Sequence, residues 1–240
     1  MPVSYPCRMP PPPELHVVDD PAVPVAELLA DQARRGGSIV LTGGSAAGPP
    51  YARAAALEPD WGNVTLWWGD DRCVPPEHEW SNYRLAKETL LDNLAVQPRA
   101  VHRIRGELAP AEAAAELDAA LEKAALEGVE LDLLLLGLGP DAHVASLFPG
   151  SPQLAVEDRR ATSGPAGLEP FVDRVTMTMP VIRAAKRIVF IVDGASKADA
   201  VARAFGGEIS QEAPASLVLL APIPVEVFLD GPAAAKLQNR

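Results

Sequence analysis

The strongest constraint in this sequence is a set of short apolar runs: "SIVLTGG" at 38–44, "NVTLWWGD" at 63–70, "LDLLLLGLG" at 131–139 and "RIVFIVDG" at 187–194. Each is strand-length, nearly continuous in its hydrophobicity, and ends in glycine or an acid. Segments of helical period lie between them. Strands buried on both faces read this way, and their alternation with helices builds a largely parallel sheet. The expected fold is α/β, Rossmann-like, with an open, mostly parallel sheet flanked by helices on both faces. A chain of 240 residues can bury one substantial core, so nothing demands a second domain.

Between the runs, "SNYRLAKETLLDNL" places Tyr83, Leu85, Ala86, Leu90, Leu91 and Leu94 at spacings that fit one helical face, with Ser81 as N-cap. "APAEAAAELDAALEKAALEG" joins high helix propensity to a stop at Gly128. The stretch 149–171 holds turn residues and little periodicity, so it reads mostly as a long surface excursion. A strand in "DRVTMTM", a helix opening at Pro180, a helix in "SKADAVARAF" and a last strand "VEVFLD" come after it. The opening "MPVSYPCRMPPPPE" lacks the apolar core of an export signal. Residues 1–13 are expected to be a flexible Pro-rich tail, and 14–240 the domain.

The net charge of −11 opposes general affinity for nucleic acid or anionic lipid, and no basic stripe offsets it. No nucleic-acid or membrane partner is expected, and any anionic ligand needs a local basic cluster. The two cysteines, Cys7 and Cys73, make no metal-type spacing, and a disulfide between a Pro-rich tail and the domain is not expected. That usage favours an intracellular protein, and no apolar run approaches the roughly 20 residues that cross a bilayer. A soluble, cytoplasmic protein is expected.

The run 131–150, "LDLLLLGLGPDAHVASLFPG", allows two readings. Gly137, Gly139 and Ala142 fit G-x-G-x-x-A, and Glu157 or Asp158 lies near where a dinucleotide fold keeps its ribose-binding acid. Such a fingerprint must open a helix of several turns, and Pro149 and Gly150 would cut that helix short. The favoured reading is a turn presenting Asp141 and His143 at the carboxyl edge of the sheet, where open α/β folds place ligands. Histidine suits proton transfer near neutrality, and a carboxylate beside it can orient the ring. Alone, D-x-H fits equally well a histidine that caps the turn or packs beside Phe148.

Two more loops come directly after apolar runs. In "LTGGSAAG", Gly43, Gly44 and Ser45 would leave backbone N–H groups free to wrap a phosphate at a helix start, although a glycine pair after a strand is often just a tight turn. "WWGDDRCVPPEHEWSNYR" gathers Asp70, Asp71 and Arg72 at a strand end, which by itself fits a solvated, self-paired charge cluster.

In order, "GGS", "DDRCVPP" with "SNYR", "GLGPDAHVASLFPG", "RVTMT", "GASKA", "PASLVLL" and "VFLDGPAAAKL" resemble the 6-phosphogluconolactonase family, part of a larger group that includes glucosamine-6-phosphate deaminases. The resemblance spans about Ser38 to Leu237. The Ser-Leu-Phe-Pro after the histidine is similar to the lactonases, whereas the deaminases usually read Asn-Glu-Pro there. The resemblance implies hydrolysis of 6-phosphoglucono-1,5-lactone to 6-phosphogluconate, the second step of the oxidative pentose phosphate route, without metal or cofactor. It matches Gly43, Gly44 and Ser45 to a phosphate-cradling turn and Arg72, Arg174 and Lys197 to basic residues around the phosphate. It matches His143 to the general base, with Asp141 as its partner. Asp70 falls where the deaminases keep an acid/base aspartate, and its role here stays open. A monomer or weak homo-oligomer is expected. An amino-sugar-phosphate deaminase or isomerase, or a catalytically weak sugar-phosphate sensor, are the alternatives.

The chain departs from the family pattern at Ala142, usually glycine, and at Ala46-Ala47, usually Thr-Pro. If position 142 required a positive φ, alanine would cost about 1 kcal/mol or more and would shift the turn. "AAGPPY" likewise alters the start of the helix behind the phosphate turn. His78 and His102 are expected to be exposed loop residues.

Overall fold

A computed structural model describes residues 10–237. Cys7 and most of the Pro-rich tail lie outside the described residues. The strands are β1 (Glu14–Val18), β2 (Gly37–Leu41), β3 (Val64–Trp68), β4 (Asp70–Arg72), β5 (Ala100–His102), β6 (Leu133–Leu136), β7 (Ala161–Gly164), β8 (Arg174–Met177), β9 (Ile188–Val192) and β10 (Val225–Asp230). The main helices are α1 (Ala22–Arg35), α2 (Gly48–Leu57), α3 (Asn82–Thr89) and α4 (Pro110–Leu126), with short α5 (Met179–Arg183) and α6 (Ala198–Val201).

One sheet of seven strands runs β1-β10-β9-β6-β2-β3-β5, and every neighbouring pair is parallel. Its central strands β3, β6 and β9 are buried along their whole length, as the continuous apolar runs require. The expected α/β sheet is therefore present. Its order has a functional consequence. From β2 the chain steps outward through β3 to β5, and from β6 it steps the other way through β9 to β10. The direction reverses between β2 and β6, and a crevice opens at their carboxyl ends. Right-handed crossovers in opposite directions also put their helices on opposite faces.

Helix α3 starts as expected, with the Ser81 side chain accepting from Arg84 N, and α4 ends before Gly128 at φ 75°. Helix α2 tolerates Pro49 and Pro50 in its first turn, where their missing N–H groups have no intrahelical partner to lose. Among the described residues no helix is long and apolar enough to cross a membrane.

The 149–171 stretch is mostly irregular, as expected, but it holds two short elements that its sequence does not announce. Pro152–Ala155 forms a 3-10 turn, and β7 pairs antiparallel with β8, which pairs antiparallel with β4. This small second sheet lies off the main one. β7 is only "ATSG", too short and too polar to show a period, and its register is set by partners elsewhere in the chain. The helix expected over "SKADAVARAF" is broken into a 3-10 turn, α6 and a π turn at Ala202–Gly206.

Candidate active site

The loops after β2 and β6 meet at the crevice, where Gly137 N–H donates to Thr42 Oγ1 at 3.2 Å. With β4, the loop before β8 and the turn after β9, they enclose a cleft of about 350 Å³. It brings together Gly43, Gly44, Ser45, Asp70, Arg72, His143, Arg174 and Lys197. Asp141 is not itself a wall of the cleft but stands behind the His143 ring. No helix comes after Gly137–Ala142, so the dinucleotide reading has no amide terminus to rest on.

Asp141 Oδ1 is 2.6 Å from His143 Nδ1 and also accepts the His143 backbone N–H at 3.1 Å. Burial would raise the Asp141 carboxyl, but its contacts with His143 outweigh that and hold it below the ordinary carboxylate value. An ionised carboxylate only accepts, so Nδ1 carries the hydrogen and Nε2 the lone pair in the neutral imidazole. Phe148 lies against the ring, its centroid 4.5 Å away. The ring therefore both contacts Phe148 and pairs with an acid, two arrangements that the D-x-H spacing alone left as alternatives.

The turn that presents this pair carries the expected strain. Ala142 has φ 66° and Ala145 φ 48°, in the left-handed region that costs a non-glycine residue about 1–2 kcal/mol. Backbone hydrogen bonds hold the turn: Ala142 N–H donates to Gly139 O, Gly139 N–H to His143 O, and Ala215 N–H to Ala142 O, each at 3.0 Å.

The phosphate-type turn is braced from below. The hydroxyl of fully buried Tyr51 accepts Thr42 N–H at 2.9 Å and donates to Thr42 O at 2.7 Å. Gly44 has φ 92°, and a Cβ on Gly43 would stand 1.8 Å from Asn82 Oδ1. Both positions therefore need glycine for different reasons.

Arg72 and Arg174 supply the positive charge. Arg174 is 5% exposed, donates Nη2 to Pro170 O at 2.9 Å, and buries an Nε with no protein partner. It is not a surface residue despite starting a strand. Burial and the neighbouring Arg72 both lower its pKa from the ordinary value. A guanidinium beside another cation, with a buried donor unmatched, can pair with an anion. Lys197 Nζ donates to Leu138 O at 2.7 Å, and burial lowers its pKa.

Asp70 is buried. Its Oδ2 accepts Ser146 Oγ at 2.6 Å, its Oδ1 lies 3.4 Å from Asn82 Nδ2, and its carbonyl accepts that same Nδ2 at 2.9 Å. Ser146 in turn donates its backbone N–H to Thr176 Oγ1 at 3.3 Å. Tyr51, Asn82 and Ser146 are structural members of the site that were absent from the expected set. Asn82 and Ser146 lie within matched motifs, while Tyr51 gave no signal in the sequence. The expectation for the other histidines fails in part. His102 lies on β5 and stacks on Trp67 with centroids 4.0 Å apart, and half-buried His78 accepts Trp80 N–H at 3.1 Å. Both are held by packing outside the cleft.

The family model of glucosamine-6-phosphate isomerases/6-phosphogluconolactonases matches residues 17–225. The chain belongs to this family. Among its relatives, a 6-phosphogluconolactonase of Streptomyces coelicolor is 35% identical over 211 residues, covering 80% of this chain and 79% of that protein. A probable 6-phosphogluconolactonase 1 of Arabidopsis thaliana is 36% identical over 218 residues, covering 85% and 80%. The crystal structure of a devB protein superposes with a TM-score of 0.79 at 31% identity, covering 94% of this chain and 99% of that one. A monomeric glucosamine-6-phosphate deaminase reaches 0.82 at 19% identity, covering 93% and 99%. At that identity the likeness shows the fold alone.

Proposed function

We propose that this chain hydrolyses 6-phospho-D-glucono-1,5-lactone to 6-phospho-D-gluconate in the cytoplasm. The observation that carries the proposal is the Asp141–His143 pair, 2.6 Å apart, in a cleft that also holds Arg72 and Arg174. The substrate has the two matching features, an activated carbonyl and a phosphate. Several relatives are described as 6-phosphogluconolactonases.

The chemistry derives from the tautomer. His143 Nε2 takes a proton from a water as its oxygen bonds to C1 of the lactone. The imidazolium that forms is stabilised by Asp141, which stays ionised and holds the ring in place. The tetrahedral intermediate collapses with cleavage of the bond between C1 and the ring oxygen, and the imidazolium returns its proton to that oxygen. The atoms balance with lactone and water alone. Gly43, Gly44 and Ser45, with Arg72, Arg174 and Lys197, bind the phosphate and hold C1 over His143, which lowers the barrier by positioning. In this reading Asp70, tied to Ser146 and Asn82, orders the cleft wall and sugar hydroxyls.

The second reading is an amino-sugar-phosphate deaminase, favoured by Asp70 lining the cleft. Ammonia release from glucosamine 6-phosphate tests it, and none is expected. Lactone hydrolysis above the spontaneous rate tests the first reading. A folded protein that leaves that rate unchanged would overturn it.

A further inference from the structure

We propose that Asp71 is a positioning residue for the anion-binding side of the cleft, locking the strand that carries Asp70 and Arg72 to the start of α3. The proposal rests on the reading of the cleft as a sugar-phosphate site, but not on which reaction occurs there.

Along β4 side chains alternate. Asp70 and Arg72 line the cleft, and Asp71 between them points away from it, 2% exposed. Its carboxylate is saturated by donors from two segments. Oδ1 accepts Asn82 N–H at 2.7 Å and Arg72 N–H at 2.8 Å. Oδ2 accepts Tyr83 N–H at 3.1 Å and Ser81 Oγ at 3.3 Å. The Asn82 and Tyr83 amides belong to the first turn of α3, where backbone donors have no intrahelical acceptor. Ser81 caps that helix at Arg84 N–H, so Asp71 adds a tertiary clamp to a helix already capped.

The clamp acts on parts that face the anion. Asn82 reaches Asp70 through its Nδ2 and packs its Oδ1 on Gly43 of the phosphate-type turn. Arg72 Nη1 donates to Trp80 O, in the loop that runs directly into α3. The aim of Arg72 and the floor under Gly43 are therefore both referred to one carboxylate. Asp71 also offsets the repulsion that Arg72 exerts on Arg174. Burial pushes the carboxyl up to about 6 against the pull of these N–H donors.

The test is Asp71→Asn in the full chain. It keeps the shape but replaces one oxygen by an NH2 that cannot accept an N–H. KM for 6-phosphogluconolactone should rise about tenfold with kcat within about threefold, and the Kd for inorganic phosphate should weaken by a similar factor. The KM for glucono-1,5-lactone, which has no phosphate, should rise clearly less than that for the phosphorylated lactone. Ser81→Ala removes one of the donors to Oδ2 and should raise KM in the same sense by about twofold, which keeps the test open if Asp71→Asn fails to fold. Unchanged phosphate binding in the folded variants, or an equal loss with both lactones, would overturn the proposal. If the wild type shows no lactonase activity while Asp71→Asn still weakens phosphate binding, the lactonase reading fails and the positioning role stands.

Discussion

Gly139 lies against the face of His143 so closely that a Cβ on it would stand 2.0 Å from Nδ1. The glycine is required by the ring and not by its own backbone, since its φ is not in the left-handed region. Gly139→Ala should therefore push the imidazole off Asp141 while leaving the arginines in place. A displacement of about 1 Å costs on the order of 10²-fold in rate. Steady-state kinetics should show kcat reduced by that order, with KM changed little.

Asp141→Asn removes the charge that stabilises the imidazolium and lets Nδ1 accept from the amide, which favours the wrong tautomer. A fall in kcat of about 10²- to 10⁴-fold is expected, with phosphate affinity retained. Steady-state kinetics of both proteins, with a phosphate-binding titration beside them, check this.

Ala142 separates strain from burial. Its φ of 66° favours glycine, yet its methyl is fully buried. Relief of about 1–2 kcal/mol of strain is opposed by a lost methyl worth about 0.8 kcal/mol and by the added freedom of the unfolded chain. Ala142→Gly should stay within about 1 kcal/mol of wild type in denaturant unfolding. Ala142→Val, β-branched at positive φ in a full core, should lose more than about 2 kcal/mol.

Outside the cleft lining, Arg103 and Glu107 form a bidentate pair at 2.8 and 2.6 Å. The hydrogen bonds from Arg103 lower the Glu107 carboxyl to about 2 from an ordinary 4.5. A depressed carboxyl stabilises the fold above its unfolded pKa, and the contribution is lost as pH falls through the folded value. Partly exposed pairs contribute at most about 1 kcal/mol. Glu107→Gln should lower Tm slightly at pH 7, and the difference from wild type should shrink between about pH 4.5 and 2. Melting curves across that range read it directly.

Much of the site is visible in the sequence because strand ends place it. The runs at 38–44 and 131–139 are unmistakable strands, and the loop at the carboxyl end of each must sit at the sheet edge. That brings Gly43, Gly44, Ser45, Asp141 and His143 to one crevice once β2 and β6 are neighbours. Other parts are hidden for physical reasons. Helix α1 has Pro24 in its first turn, which obscures its start, and β1 is a short strand with exposed Leu15 and Val17. Ser146 and Asp70 meet across 76 residues, so no local pattern signals their bond. Tyr51 reads as an ordinary core aromatic until its hydroxyl is seen to hold both backbone groups of Thr42.

The most direct measurement is the hydrolysis of freshly generated 6-phosphogluconolactone at neutral pH, read by proton release in weak buffer, for wild type and His143→Ala. The wild type should accelerate hydrolysis over the uncatalysed background, and the variant, still folded and still binding phosphate, should fall back to about that background. A wild type that matches the background, or a His143→Ala variant as fast as the wild type, would contradict the assignment of the Asp141–His143 pair as the hydrolytic base.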